Sequence, residues 1–223
     1  MSVLPLTWGM LGIDSNAQTD SLSLSPAFPA DWSFANVKNI YVGDKTVQMN
    51  YKREADGYEY VLTNDTEAPI HTAFTAILPL ATEVEGVEAD GESVPFEVTN
   101  DVQNVNISVA PFDLKGKRTI TVRTKGGIAV LTNLAPVVRN MKDTNLKIER
   151  EAFDPQTGIY TLSLAGMPGE SYDISILTRS DISAVKGATL KERHDGVSVY
   201  TVTIPKSGKE PFVNCTVTLQ TAK

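Results

Sequence analysis

A single cysteine in 223 residues excludes an internal disulfide. Cys215 alternates with Val213, Val217 and Leu219, so it reads as a small hydrophobe on a buried strand face rather than a nucleophile. The only histidines are His71 and His194. With one cysteine beside them they fall short of a closely spaced zinc-ligand set, and each reads as a surface or partly buried histidine with a satisfied hydrogen bond. No Gly-x-Ser-x-Gly elbow offers a seat for a nucleophilic serine. Basic runs are missing too, and the formal net charge is -7, which excludes nucleic acid as a partner because phosphate neutralisation needs clustered Lys and Arg. No apolar run reaches the roughly 18 residues that a membrane span requires. Residues Met1 to Met10 have neither the cationic start nor the long apolar core of a signal peptide. Two localisations follow: cytoplasmic if Met1 is the true start, periplasmic or extracellular if the chain belongs to a longer secreted protein, which is the preferred reading.

What is present is period two. Hydrophobic residues make up 41% of the chain and charged residues 21%, enough for a sizeable core in a globular protein. Val47, Met49 and Tyr51 alternate with Gln48, Asn50 and Lys52, and Tyr58, Tyr60 and Leu62 repeat the pattern beyond Asp56-Gly57. Asp-Gly favours a type I′ turn, which predicts a hairpin with Ala55 opposite Tyr58, Arg53 opposite Tyr60 and Tyr51 opposite Leu62. Further strands are expected at 72–78, 84–89, 94–98, 102–109 and 118–123. Lys125-Gly126-Gly127 reads as a linker, followed by strands at 146–150, 159–164, 172–177, 197–204 and 213–220. Asp154 to Gly158, Gly166 to Gly169 and Asp195-Gly196 read as turns. Residues Val3 to Ile13 read as a short helical remnant, limited by Pro5 and two glycines. The expected fold is all-β: two tandem antiparallel β-sandwiches (Ig-like or jelly-roll-like), with 1–13 a remnant of a preceding segment, 14–125 the first domain and 128–223 the second.

Chemistry-bearing groups are few. Glu83, Glu85, Glu88, Asp90 and Glu92 crowd one predicted hairpin, whereas a catalytic acid pair converges from separate elements with one member in an apolar pocket. The cluster therefore reads as a solvated edge that discourages strand aggregation. The loop Asp154 to Gly158 lacks the alternating Asp/Asn pattern of a calcium loop and reads as a turn. Asn64, Asn106 and Asn214 head short sequons that matter only in a eukaryotic secreted protein. No catalytic, cofactor or metal residue is assigned, and no cofactor is expected. For sugar binding, alternation puts Tyr51, Tyr58 and Tyr60 in the core and leaves Tyr41 and Tyr200 as candidate exposed rings.

The most informative stretch is Leu24-Ser25-Pro26-Ala27-Phe28-Pro29-Ala30-Asp31-Trp32 followed by Val37-Lys38-Asn39-Ile40-Tyr41-Val42-Gly43. Trp8-Gly9-Met10-Leu11-Gly12-Ile13 precedes it, and Val47-Gln48-Met49-Asn50-Tyr51 follows. Over residues 8 to 64 these phrases resemble the junction between the catalytic (α/α)6 barrel and the C-terminal β-sandwich of bacterial glycoside hydrolases of the α-L-rhamnosidase and amylo-α-glucosidase kind. In those enzymes the catalytic carboxylates lie in the barrel, so the resemblance implies no catalytic residue here. It implies instead a non-catalytic accessory region whose partner is the barrel of a parent enzyme, packed through Trp8, Met10, Leu11, Ile13 and Trp32. The alternatives are a free-standing carbohydrate-binding module with polysaccharide as partner, which requires exposed coplanar aromatics, and an Ig-like surface adhesion or assembly protein. Residues 128–223 match no part of the resemblance.

Overall fold

The computed structural model describes residues 5–133, 142–194, 196–206 and 210–222. The chain is all-β, with its strands in four sheets, and it divides into two compact units, Met1–Lys125 and Gly126–Lys223. A π-type turn, Pro5–Met10, precedes the first strand. It stands where a helical remnant is expected, and Val3 and Leu4 of that stretch lie outside the described residues. Among the described residues no helix is long and apolar enough to cross a membrane.

In the first unit the strands are β1 (Asp14–Asn16), β2 (Ser21–Leu24), β3 (Phe34–Val42), β4 (Lys45–Glu54), β5 (Gly57–Asn64) and β6 (Ile70–Pro79). They continue with β7 (Thr82–Ala89), β8 (Glu92–Ser93), β9 (Phe96–Asn100), β10 (Asn104–Leu114) and β11 (Lys117–Gly126). One sheet runs β1-β2-β6-β10-β9 and the other β3-β4-β5-β11-β7-β8. The pairs β1–β2, β6–β10, β9–β10, β3–β4, β4–β5, β5–β11 and β7–β8 are antiparallel, and β2 and β6 run parallel. Leu22, Leu24, Phe74 and Ile107 from the first sheet share one core with Val47, Met49, Tyr60 and Ile120 from the second. The Tyr60 ring meets Phe74 edge-on at 4.9 Å between centroids, tying the two sheets together. On β4 the expected alternation is seen directly, with Val47, Met49 and Tyr51 buried and Gln48, Asn50 and Lys52 exposed.

The β4–β5 hairpin differs from the expected one. Its turn is Ala55-Asp56, with Glu54 opposite Gly57, Arg53 opposite Tyr58 and Tyr51 opposite Tyr60. No residue of this turn has positive φ. The register is two residues away from the expected one, so every side chain keeps its face. Gly57 is needed for room rather than for turn geometry: a Cβ there would lie 2.1 Å from the carbonyl oxygen of Val122 on β11. The strand expected at 94–98 is also displaced. Pro95 divides it, leaving β8 before and β9 after, and Val102 lies outside β10 in an exposed bend.

The second unit contains β12 (Ile128–Thr132), β13 (Lys147–Asp154), β14 (Ile159–Gly166) and β15 (Ser171–Thr178). It ends with β16 (Ile182–Lys186), β17 (Thr189–His194), β18 (Val197–Thr203) and β19 (Val213–Thr221). Its sheets run β12-β15-β18-β17 and β13-β14-β19-β16. Tyr160, Leu162, Leu164, Val217 and Leu219 are buried from one sheet, and Ile174, Ile176, Tyr200 and Val202 from the other. Cys215 is half-buried opposite Leu164, on the face it shares with Val217 and Leu219.

Candidate functional site

Five residues are candidates for packing against a partner. Leu11 belongs to the first unit's own core, and Met10 and Ile13 pack against that core. Backbone bonds hold the segment down: Ser25 N–H donates to Leu11 O (3.3 Å), Ala27 N–H to Met10 O (2.8 Å) and Ile13 N–H to Thr7 O (2.9 Å). These three apolar side chains are therefore used inside the unit. Trp8, by contrast, is 70% exposed, and Trp32 is 40% exposed. Trp32 stacks on Phe28 at 6.3 Å, and Phe28 stacks on Tyr51 at 4.3 Å, so the indole ends an aromatic row that begins in the core. Its loop is fixed by Trp32 N–H donating to Pro29 O and by the Arg53 guanidinium donating to Ala30 O.

The second group lies on the outward face of β3 and β4. Phe34 is 66% exposed and Tyr41 64%. Tyr41 stands among the rings expected to be exposed, whereas Tyr200 is buried, because it alternates with Val202 on the inward face of β18. Phe34 escaped sequence reading because its outward direction depends on an irregularity of β3. Val37 faces Met49 and Ile40 faces Val47, so Lys38 and Asn39 together oppose Gln48. That is a β-bulge, and Asn39 takes φ +59° within it. Asn36, Lys38, Gln48, Asn50 and Lys52 occupy the exposed face between the rings.

Glu85, Glu88 and Asp90 of the acidic cluster pair with cations of the neighbouring strand. Arg123 on β11 holds Glu88 (Nε to Oε1, 2.8 Å) and Asp56 (3.1 Å), and Lys125 pairs with Glu85. Asp90 accepts the Thr119 backbone N–H at 2.8 Å. The hydrogen bond from Arg123 holds the Glu88 carboxyl below its ordinary range, the opposite of what a proton donor in glycoside cleavage needs. His71 is exposed and bonded to Asp113 at 2.5 Å, and His194 is exposed next to Glu192. In the 154–158 turn, the Asp154 carboxylate accepts from Thr157 Oγ1 and Gln156 N–H, so its oxygens are occupied by the turn itself. Asn64 is buried, donating to Ala68 O and Leu114 O, in a structural role. Burial raises the Cys215 thiol above its ordinary value, which disfavours the thiolate. Among the described residues no group of three His, Cys, Asp or Glu is placed to hold a metal ion.

No protein-family model matches the chain, and no curated protein matches it by sequence. Among solved structures, an α-L-rhamnosidase from Dictyoglumus thermophilum is similar, with a TM-score of 0.32 and 13% identity. The match covers 47% of this chain and 11% of that one.

Proposed function

We propose that this chain is a non-catalytic accessory region of a bacterial glycoside hydrolase, and that its first unit seats an (α/α)6 catalytic barrel. The observation that carries the reading is Trp8: an indole left 70% in water on a segment whose neighbours Met10, Leu11 and Ile13 are fastened to the sandwich. Covering such a ring is worth roughly 3 kcal/mol at about 25 cal/mol per Å². Trp32, 40% exposed, is a second ring that a barrel could cover. The phrases at 8–13, 24–32 and 37–43, which resemble the barrel-to-sandwich junction of rhamnosidase-like enzymes, supply the identity of the partner. The work of the chain in this reading is mechanical, and substrate chemistry belongs to the barrel.

The test is to read the source DNA directly upstream of the Met1 codon. The expected result is an open frame of several hundred codons, helical in pattern and carrying paired Glu or Asp. In the joined protein, Trp8→Ala then lowers the barrel's melting temperature while leaving the unfolding of this chain alone unchanged. A stop codon and ribosome-binding site just ahead of Met1 would overturn the proposal.

A further inference from the structure

We infer that the outward face of β3 and β4 is a binding face for an uncharged oligosaccharide, with Phe34 and Tyr41 as stacking rings and Asn36, Gln48 and Asn50 as hydrogen-bonding groups.

The inference begins with side-chain direction. Residues 34 and 41 differ in parity, so on a regular strand one of them would point into the core. The bulge at Lys38 and Asn39 reverses the phase, and both rings end on one face: Phe34 opposite Lys52, Tyr41 opposite Thr46. Ile40 and Val42 take the inward positions and are buried. A bulge that re-aims a side chain, with a non-glycine residue at φ +59°, is a feature that the fold maintains at a cost. What it achieves here is a tyrosine in water instead of in the core.

The rings are free, and so are the amides. Among the described residues neither Phe34 nor Tyr41 stacks on another ring. Asn36 and Asn50 are directly opposed, Gln48 faces the bulge, and all three are exposed. Among the described residues none of the three side chains makes a hydrogen bond, so each presents an N–H donor pair and a carbonyl acceptor. Sugar hydroxyls both donate and accept, and the C–H face of a pyranose sits on the electron-rich face of an aromatic ring. An amide strip between two rings matches both demands at once.

The dimensions and charge decide against other partners. Lys52 and Thr46, opposite Phe34 and Tyr41, stand six positions apart on β4, about 20 Å along the strand, room for an extended chain of several sugar units. A protein partner would call for one contiguous apolar centre, whereas here the centre is amide. On this strip the Lys52 ammonium is already paired with Glu54, and the molecule carries a net charge of -7, so a polyanion is not the favoured ligand. Lys38 is the charge left over, and an acidic polysaccharide is included in the test for that reason.

The full chain is run by native affinity electrophoresis through gels containing xylan, mixed-linkage β-glucan or galactomannan, with polygalacturonate as the acidic probe. Retardation by at least one neutral polysaccharide is expected. Phe34→Ala and Tyr41→Ala are each expected to weaken it by about tenfold or more, and Trp8→Ala to leave it unchanged. Urea midpoints of the variants establish that they remain folded, and Tyr41→Phe, which keeps the ring, is expected to bind. The inference is overturned if no neutral polysaccharide retards the chain, if only polygalacturonate does, or if both ring-deleting variants bind as the parent does. Because the seat of a barrel involves Trp8 and not these residues, either proposal can fail without the other.

Discussion

At Gly57 there is no room for a methyl group: its Cβ would meet the Val122 carbonyl oxygen at 2.1 Å, and a strand backbone cannot give way as a side chain can. Gly57→Ala is expected to destabilise the first unit by at least about 2 kcal/mol, read as a lower urea midpoint at unchanged slope. A contrasting case is Tyr160, whose hydroxyl donates to Glu151 Oε2 at 2.6 Å from a fully buried ring. Tyr160→Phe keeps the packing and removes a hydrogen bond to a charged acceptor. Its expected cost in urea unfolding is about 1–3 kcal/mol, and a value near zero would mean that water replaces the phenol without penalty. Gly57 also marks where sequence reading reaches its limit. Asp-Gly is a strong hairpin signal when glycine serves φ, but this glycine serves a neighbouring strand, and distant contacts leave no trace in a local pattern.

Among the elements, strands that alternate were legible and strands that do not were not. Val47 to Tyr51, Ile159 to Leu164 and Val197 to Val202 each bury every second side chain, so their period shows in the residues. β17 is exposed at all six positions, and β1 at all three, so no hydrophobic period exists to be read. The bulge of β3 is invisible for another reason: Lys38 and Asn39 are ordinary residues, and only pairing with β4 shows that two of them oppose one. Deleting Asn39 would leave Lys38 alone opposite Gln48 and make the strand regular, keeping Val37 opposite Met49, Ile40 opposite Val47 and Tyr41 on the outward face. The expected result is a folded protein whose stability in urea lies within about 1 kcal/mol of the parent and whose Tyr41 stays accessible in solvent-perturbation spectroscopy. A buried Tyr41 would show that the strand had slipped by one residue. On β15, the Asp173 carboxylate accepts from Lys191 Nζ (2.5 Å) on β17 and Thr201 Oγ1 (2.8 Å) on β18, and these bonds hold its pKa below the ordinary value. A depressed folded-state pKa adds stability above the unfolded value of 3.8, and that stability is lost as pH falls through the folded value. Urea unfolding followed from pH 5 downward should therefore show the second unit weakening below about pH 4, and Asp173→Asn should flatten that dependence.

For the whole molecule, two compact units with separate buried residue sets lead to the expectation that fragments 1–125 and 126–223 each unfold in one cooperative urea transition. A fragment lacking a transition would show that the boundary at Gly126 is one of geometry and not of stability. The candidate surfaces were unevenly legible in the sequence. Trp8 and Trp32 could be picked out because large aromatics in a recognisable phrase draw notice, whereas the face of Phe34 and Tyr41 exists only once β3 is folded against β4. The order of the six-stranded sheet has a consequence for time. Its last strand in the chain, β11, lies between β5 and β7, so the hairpins made first have no direct neighbour until it arrives. On a ribosome, which releases the chain from its N-terminus, β3 to β5 and β7 to β8 must wait as two open edges until Lys117–Gly126 emerges. The first unit is thus completed in one late step, and its exposure to aggregation is set by how quickly those last ten residues are made.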